Sequence, residues 1–228
     1  MPKKYAKGLV PPCPGNRADY TLVDRRGYNY WRLKRGTIKP AGINDSLRQR
    51  SEAMKALSPT IRYLRHILIP LMKPLPHGEL HSNLFKWLQG SWLENGRIDY
   101  SGMQGKELHS THTLHKILLG GYRPQITTDS ISISLMQRKE VFSKPGPLVT
   151  QFALQATLIW ETGDAIREES RYSPIYDIKT GIDNECVFEF KVPAAVPWMA
   201  ILKLVSFEGK VTAYHPKYFG MRVLATGG

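Results

Sequence analysis

Histidine is the residue type whose spacing in this chain first suggests chemistry. His109, His112 and His115 stand three apart, and His77 and His81 stand four apart. Imidazoles at such intervals on a helix can share one metal ion. The first set fails on geometry. Three residues advance about 300° around a helix, so the outer two, six apart, diverge by about 120° and do not converge on an ion. His77 and His81 do share a helical face, but Glu79 lies between them at the wrong offset for the His-Glu-x-x-His protease pattern. The histidines therefore read as interface or helix N-terminal residues. A metal-dependent enzyme built on the histidine-bearing helices is the third and weakest of the functional readings.

Other chemistry-bearing residue types give less. Glu161, Asp164, Glu168 and Glu169 form an acidic cluster, and paired carboxylates can do acid-base work. Their position points instead to an exposed strand end and loop. Gly102-Met103-Gln104-Gly105-Lys106 is too short for a phosphate loop, and Glu107 occupies the place of the hydroxyl residue that would hold magnesium. No Gly-x-Ser-x-Gly nucleophile turn occurs, and neither Cys13 nor Cys186 has a histidine partner close in sequence. Neither catalytic residues, nor a metal, nor a cofactor is expected, and the chain reads as a non-enzyme. Two cysteines are too few for a disulfide framework in 228 residues, which points to a reducing, cytoplasmic setting.

What stands out is charge. The net charge is +13. Residues 1–75 carry 16 Lys/Arg against 4 Asp/Glu, residues 76–125 carry 5 against 4, and residues 126–228 carry 11 against 11. The excess thus lies at the front, where it is interleaved with aromatic rings. In an extended segment alternate residues share a face, so Tyr28, Tyr30, Arg32 and Lys34 line one side of a strand while Trp31 and Leu33 line the other. Arg25 and Arg26 stand at the adjoining turn, Arg35 follows, and Arg48 and Arg62 lie off the apolar stripe of the helices beyond. Cations attract phosphates through counterion release, and exposed bases stack on tyrosine and arginine. These nine residues form the candidate polyanion-binding set, with nucleic acid or an acidic protein surface as partner. The competing reading is that the cations solvate exposed faces and the tyrosines pack against helices.

Which elements would position them follows from periodicity. Residues 1–16 hold four prolines among lysines and read as an extended basic arm. A hairpin follows, Tyr20-Thr21-Leu22-Val23 turning at Asp24-Arg25-Arg26-Gly27, with Gly27 taking the positive φ of a bulged turn. Ser46 with Gln49 makes a capping box for a first helix carrying Leu47, Met54 and Leu57. Ser58-Pro59 reads as the start of a second, with Ile61, Leu64 and Leu68 inward, ended by Pro70 and Pro74. A third is expected from Gly78 to Glu94, with Leu80, Leu84 and Leu88 in a stripe and Gly96 as its stop. A fourth carries Leu108, Leu114, Ile117 and Leu118.

After Gly121 the period changes to two. Ile131, Ile133 and Leu135 alternate with polar neighbours, as do Phe152 to Trp160 and Cys186 to Val192. Residues 198–207, 211–214 and 218–224 supply three more strands. The fold class is α+β, an N-terminal β-hairpin and helical region followed by an antiparallel β-sandwich. The expected division is 1–16 arm, 17–125 hairpin with about four helices, and 126–228 sandwich. Lys3, Lys4 and Lys7 are followed by too short an apolar stretch for an export signal, and no window reaches the roughly 18 apolar residues of a membrane span.

The order of these parts, with Gly27-Tyr28-Asn29-Tyr30-Trp31-Arg32, the run Ser58 to Arg65 and the helix opening at His77 to His81, resembles uncharacterised small basic proteins common in Bacteroidota genomes. The resemblance implies a bacterial cytoplasmic or mobile-element setting and transfers no catalytic residue. The resulting expectation is a non-catalytic binding or assembly module whose basic front docks a polyanion, nucleic acid foremost. The alternative is a structural subunit of a phage-like or other assembly, homo-oligomeric or larger, in which the arm and hairpin make subunit contacts.

Overall fold

The computed structural model describes residues 16–17, 20–25, 28–33, 45–73, 77–91, 98–118, 122–127, 130–135, 149–162, 165–182, 185–192, 195–209, 211–212 and 219–228. The architecture is α+β, helices combined with antiparallel sheets. It divides into two compact units, Met1–Glu52 and Ala53–Gly228.

In the first unit, β1 (Asn16–Arg17), β2 (Tyr20–Arg25) and β3 (Tyr28–Leu33) form an antiparallel sheet in that order. The hairpin is tighter than its sequence suggests, because pairing continues through Asp24↔Asn29 to Arg25↔Tyr28. Asp24 and Arg25 are strand residues, since a ladder persists as long as both backbones stay extended. The expected bulged turn falls on Arg26 and Gly27, outside the described residues, as does the arm up to Gly15.

Where two helices are expected there is one. α1 (Asp45–Met72) runs through Pro59 and Pro70, so Ser58-Pro59 is not a helix start and Pro70 is not a stop. Pro59 deprives the Lys55 carbonyl of its usual i+4 donor. One residue earlier, the Ser58 hydroxyl donates to the Met54 carbonyl at 2.6 Å. Each interior proline costs about 3 kcal/mol. Against this, Leu57, Ile61, Leu64, Leu68 and Met72 recur every three or four residues and are all at least 98% buried. Their burial is worth on the order of 10 kcal/mol in total, so the stripe carries the helix across both prolines. Leu47 and Met54, expected on the same stripe, are 53% and 48% exposed. The apolar face begins only at Leu57.

α2 (Leu80–Leu88) buries Leu80, Leu84 and Leu88 as expected but stops before Gly96. Gln89 is already extended and Gly90 adopts φ +94°, a left-handed conformation that ends the helix. The fourth helix shrinks to α3 (Leu114–Ile117), preceded by a single 3₁₀ turn at Ser101–Met103. Leu108 is buried for another reason. Residues 105–108 lie beside the last strand, with Gly105 N–H donating to Val223 O and Leu108 N–H to Met221 O.

Among the described residues, the second unit has two sheets. β4 (Tyr122–Ile126), β5 (Ser130–Leu135) and β9 (Cys186–Lys191) form one, ordered β4-β5-β9. The larger contains β6 (Gln151–Thr162), β7 (Ala165–Tyr172), β8 (Tyr176–Asp177), β10 (Trp198–Glu208), β11 (Val211–Thr212) and β12 (Gly220–Gly227). β6 and β10 pair along ten residues at its centre, from Trp198↔Trp160 to Phe207↔Gln151. The expected alternation in β6 fails, because Phe152 through Ile159 are all buried. Phe152, Leu154, Ala156 and Leu158 join Ile131, Ile133, Phe188 and Phe190 of the smaller sheet in one cluster. Ile159, Met199 and Ile201, on the opposite face, join the buried stripes of α1 and α2. Both faces are covered, so both are apolar.

Leu64 and Met54 lie on one helix and test this division. Leu64→Ala should lower the unfolding free energy by about 2–5 kcal/mol, and Met54→Ala should change it by less than about 0.5 kcal/mol, measured by urea titration of each variant.

Candidate functional site

Of the nine candidate polyanion residues, Arg48 and Arg62 are described with their side chains, and both are exposed on α1. Seven residues turn a helix by about 700°, some 20° short of two full turns. Lys55, seven residues before Arg62 and also exposed, therefore lies on the same strip of the helix as Arg62. From Lys55 to Arg62 the strip spans roughly 10 Å and drifts about 20°. Among the described residues, no carboxylate oxygen lies within 4 Å of a charged nitrogen of Arg48, Lys55 or Arg62, although Glu52 stands four residues after Arg48 and three before Lys55. The sequence marks Arg62 as exposed, but the unbroken helix is what aligns it with Lys55.

For the hairpin set the backbone gives register. Arg25 pairs with Tyr28, Val23 with Tyr30 and Thr21 with Arg32, so Arg25, Tyr28, Tyr30 and Arg32 hold positions on one face of that ladder. Arg26, Lys34 and Arg35 lie outside the described residues.

The histidines are engaged in ways their spacing did not disclose. The Glu107 carboxylate accepts the Leu114 N–H at 2.8 Å and the His115 N–H at 3.4 Å. It also contacts His115 Nδ1 at 2.8 Å and Arg222 at 3.5 Å. This acid caps α3 and ties it to β12. Arg222 in turn lies over the Tyr122 ring, 5.8 Å from its centre. The phenol's pKa is raised, with burial as the main cause and Arg222 opposing it. His109 and His112 pack with ring centres 4.5 Å apart and planes tilted by 36°, and burial holds His109 below the ordinary imidazole pKa, partly offset by Glu79. Among the described residues, no three His, Cys, Asp or Glu side chains are grouped to hold a metal ion.

The acidic cluster does not stay together either. Glu161, expected at an exposed strand end, accepts the Tyr100 hydroxyl at 2.9 Å, and Tyr100 is fully buried. Burial, the Glu161 charge and this hydrogen bond, in that order, push the phenol well above the ordinary tyrosine range. Glu169 pairs with Arg171 of its own strand at 2.8 Å, and Asp164 lies outside the described residues. Lys203, also raised in importance only by the fold, donates from β10 to the Lys73 carbonyl at 3.1 Å. It supplies the C-terminal end of α1 with the cation its own last turn lacks. Burial lowers its pKa.

Among the described residues, an open cleft of about 1000 Å³ lies between β7 and β9. Ser170, Arg171 and Tyr172 line one side and Cys186, Val187 and Glu189 the other, with Tyr176 of β8 also in the lining. Arg171 sits 5.5 Å from the centre of the Phe190 ring. Cys186 is buried, and burial raises its thiol pKa, with a contribution from Tyr176 in the other direction. A thiol held protonated is a poor nucleophile.

No family model, curated protein or solved structure matches this chain. Among the described residues no helix is long and apolar enough to cross a membrane.

Glu107→Ala leaves the α3 N–H groups and Arg222 without their acceptor, and should lower the unfolding free energy by about 1–3 kcal/mol in urea titration. Tyr100 sets an alkaline limit. Its folded pKa is raised, so its contribution is complete below the unfolded value near 10 and is lost as pH rises above it. Stability followed from pH 8 to 11 should fall more steeply in the wild type than in Tyr100→Phe.

Proposed function

We propose that this chain is a non-catalytic binding module whose basic N-terminal region docks a polyanion, nucleic acid foremost. The observation that carries the reading is the basic excess exposed on α1, where Arg48, Lys55 and Arg62 are exposed and make no ion pair among the described residues. Solvating cations are commonly interspersed with acids, which shortens their field. Here Glu52 and Asp45 are the acids of the 28-residue helix, against Arg48, Arg50, Lys55, Arg62 and Arg65. A row of cations along a rigid rod matches a backbone of regularly spaced phosphates, because each neutralised phosphate releases condensed counterions. The hairpin adds Arg25, Tyr28, Tyr30 and Arg32 on one face of its ladder, where aromatic and guanidinium groups offer stacking to unpaired bases. In the same reading the two sheets of the second unit stack as a neutral β-sandwich that serves as scaffold, in a cytoplasmic protein.

Binding of fluorescently labelled single- and double-stranded DNA, titrated across salt, tests it. The wild type should bind with a steep negative slope of log K against log salt. Replacing Arg48, Lys55 and Arg62 together by alanine should make that slope shallower by about 2–3 on duplex. Replacing Arg25, Arg26 and Arg32 by alanine should weaken binding as well. Absent or salt-independent binding overturns the reading.

A further inference from the structure

A sheet edge free of proline offers a row of backbone donors and acceptors to a pairing strand, and the two edges of the smaller sheet differ in this. β4 carries Pro124, which removes a backbone donor from that edge. β9 has no proline and, among the described residues, pairs only with β5. The cleft along its far side leaves room beside it. Its outward positions are Val187, Glu189 and Lys191, with Glu185 just before, and Val187 is 45% exposed.

We infer that β9 pairs antiparallel with β9 of a second copy across a two-fold axis centred on Phe188. The register follows from charge. Centred on Phe188, Glu185 of each copy faces Lys191 of the other, and Val187 faces Glu189. A shift that centres the axis on Val187 sets Glu185 against Glu189, and centring it on Glu189 sets that carboxylate against its own copy. Centring it on Phe190 joins Glu189 to Lys191 but pairs only residues 189–191 within the strand, whereas the Phe188 register joins Glu185 to Lys191, opposes no like charges and pairs 186–190 in full, exposed positions opposite exposed ones. Isologous pairing uses up the β9 edge of both copies, while Pro124 limits growth from the β4 edges, so the assembly closes at two. The outcome is one continuous sheet running β4-β5-β9 into its symmetry mate. This inference stands apart from the polyanion reading, because β9 shares no residue with the basic set.

Sedimentation equilibrium on the full chain tests it. The wild type should be a dimer. Lys191→Glu and Glu185→Lys, each alone, put like charges opposite one another twice per dimer and should weaken association about tenfold or more. The double variant Glu185→Lys with Lys191→Glu restores both pairs and should recover the wild-type constant. Removing residues 1–16 should leave the dimer intact, in contrast to an assembly held by the arm. Thermal melts of each variant identify a loss of fold. A wild type that stays monomeric, a reversal without effect, a double variant that fails to recover, or a dimer lost with the arm each overturns the inference.

Discussion

The pairing of β6 with β10 is the constraint on which the second unit rests. Ten residues of each strand face one another, and from Phe152 to Ile159 neither face of β6 meets solvent. Water is excluded from a backbone that still needs its hydrogen bonds, so every amide in the middle must be satisfied by the ladder. The apolar faces then require cover on both sides. α1 and α2 supply it on one, and the smaller sheet supplies it on the other. Where β6 places polar groups in this buried setting, it gives them partners: Gln155 donates to Ser170 and Tyr172, and Thr157 bonds Ser170. A buried amide without those acceptors would cost about as much as the apolar contacts beside it gain.

α1 shows how one element serves two ends. Its inner stripe is among the most deeply buried parts of the described chain, and the same 3.6-residue period that aligns those leucines aligns Lys55 and Arg62 on the outside. The aligned cations depend on the helix being continuous. A break at Pro59 would turn Arg62 away from Lys55. Continuity in turn depends on burial, because nothing in the local sequence favours a helix through two prolines. Charge placement on the surface is thus a consequence of packing beneath it.

Segment 98–118 has little regular structure of its own and is held by side chains from elsewhere. Tyr100 reaches Glu161, Gly105 and Leu108 bond the backbone of β12, and Glu107 gathers α3 and Arg222. The three histidines in it drew notice by spacing, yet their roles come from partners remote from that spacing. His115 answers to an acid eight residues earlier, and His109 packs at a tilt against His112. Cys186 is equally opaque in isolation: its burial and the pairing of β8 with β6 that places Tyr176 are products of tertiary packing.

The period of apolar residues was enough to read the strands Ile131 to Leu135, Phe152 to Trp160 and Cys186 to Val192, the stripe of α2 and the inward residues Ile61, Leu64 and Leu68. Period is a local property, set by backbone geometry within a few residues. The front-loaded charge was equally plain, since it needs only counting. Tertiary structure decided what local geometry cannot contain. It decided that Ser58-Pro59 lies inside a helix, that Leu108 bonds the backbone of β12 instead of lying in a helix, and that the second face of β6 is buried. In each case the local preference was worth a few kcal/mol at most, and the burial of side chains brought together from distant parts of the chain outweighed it.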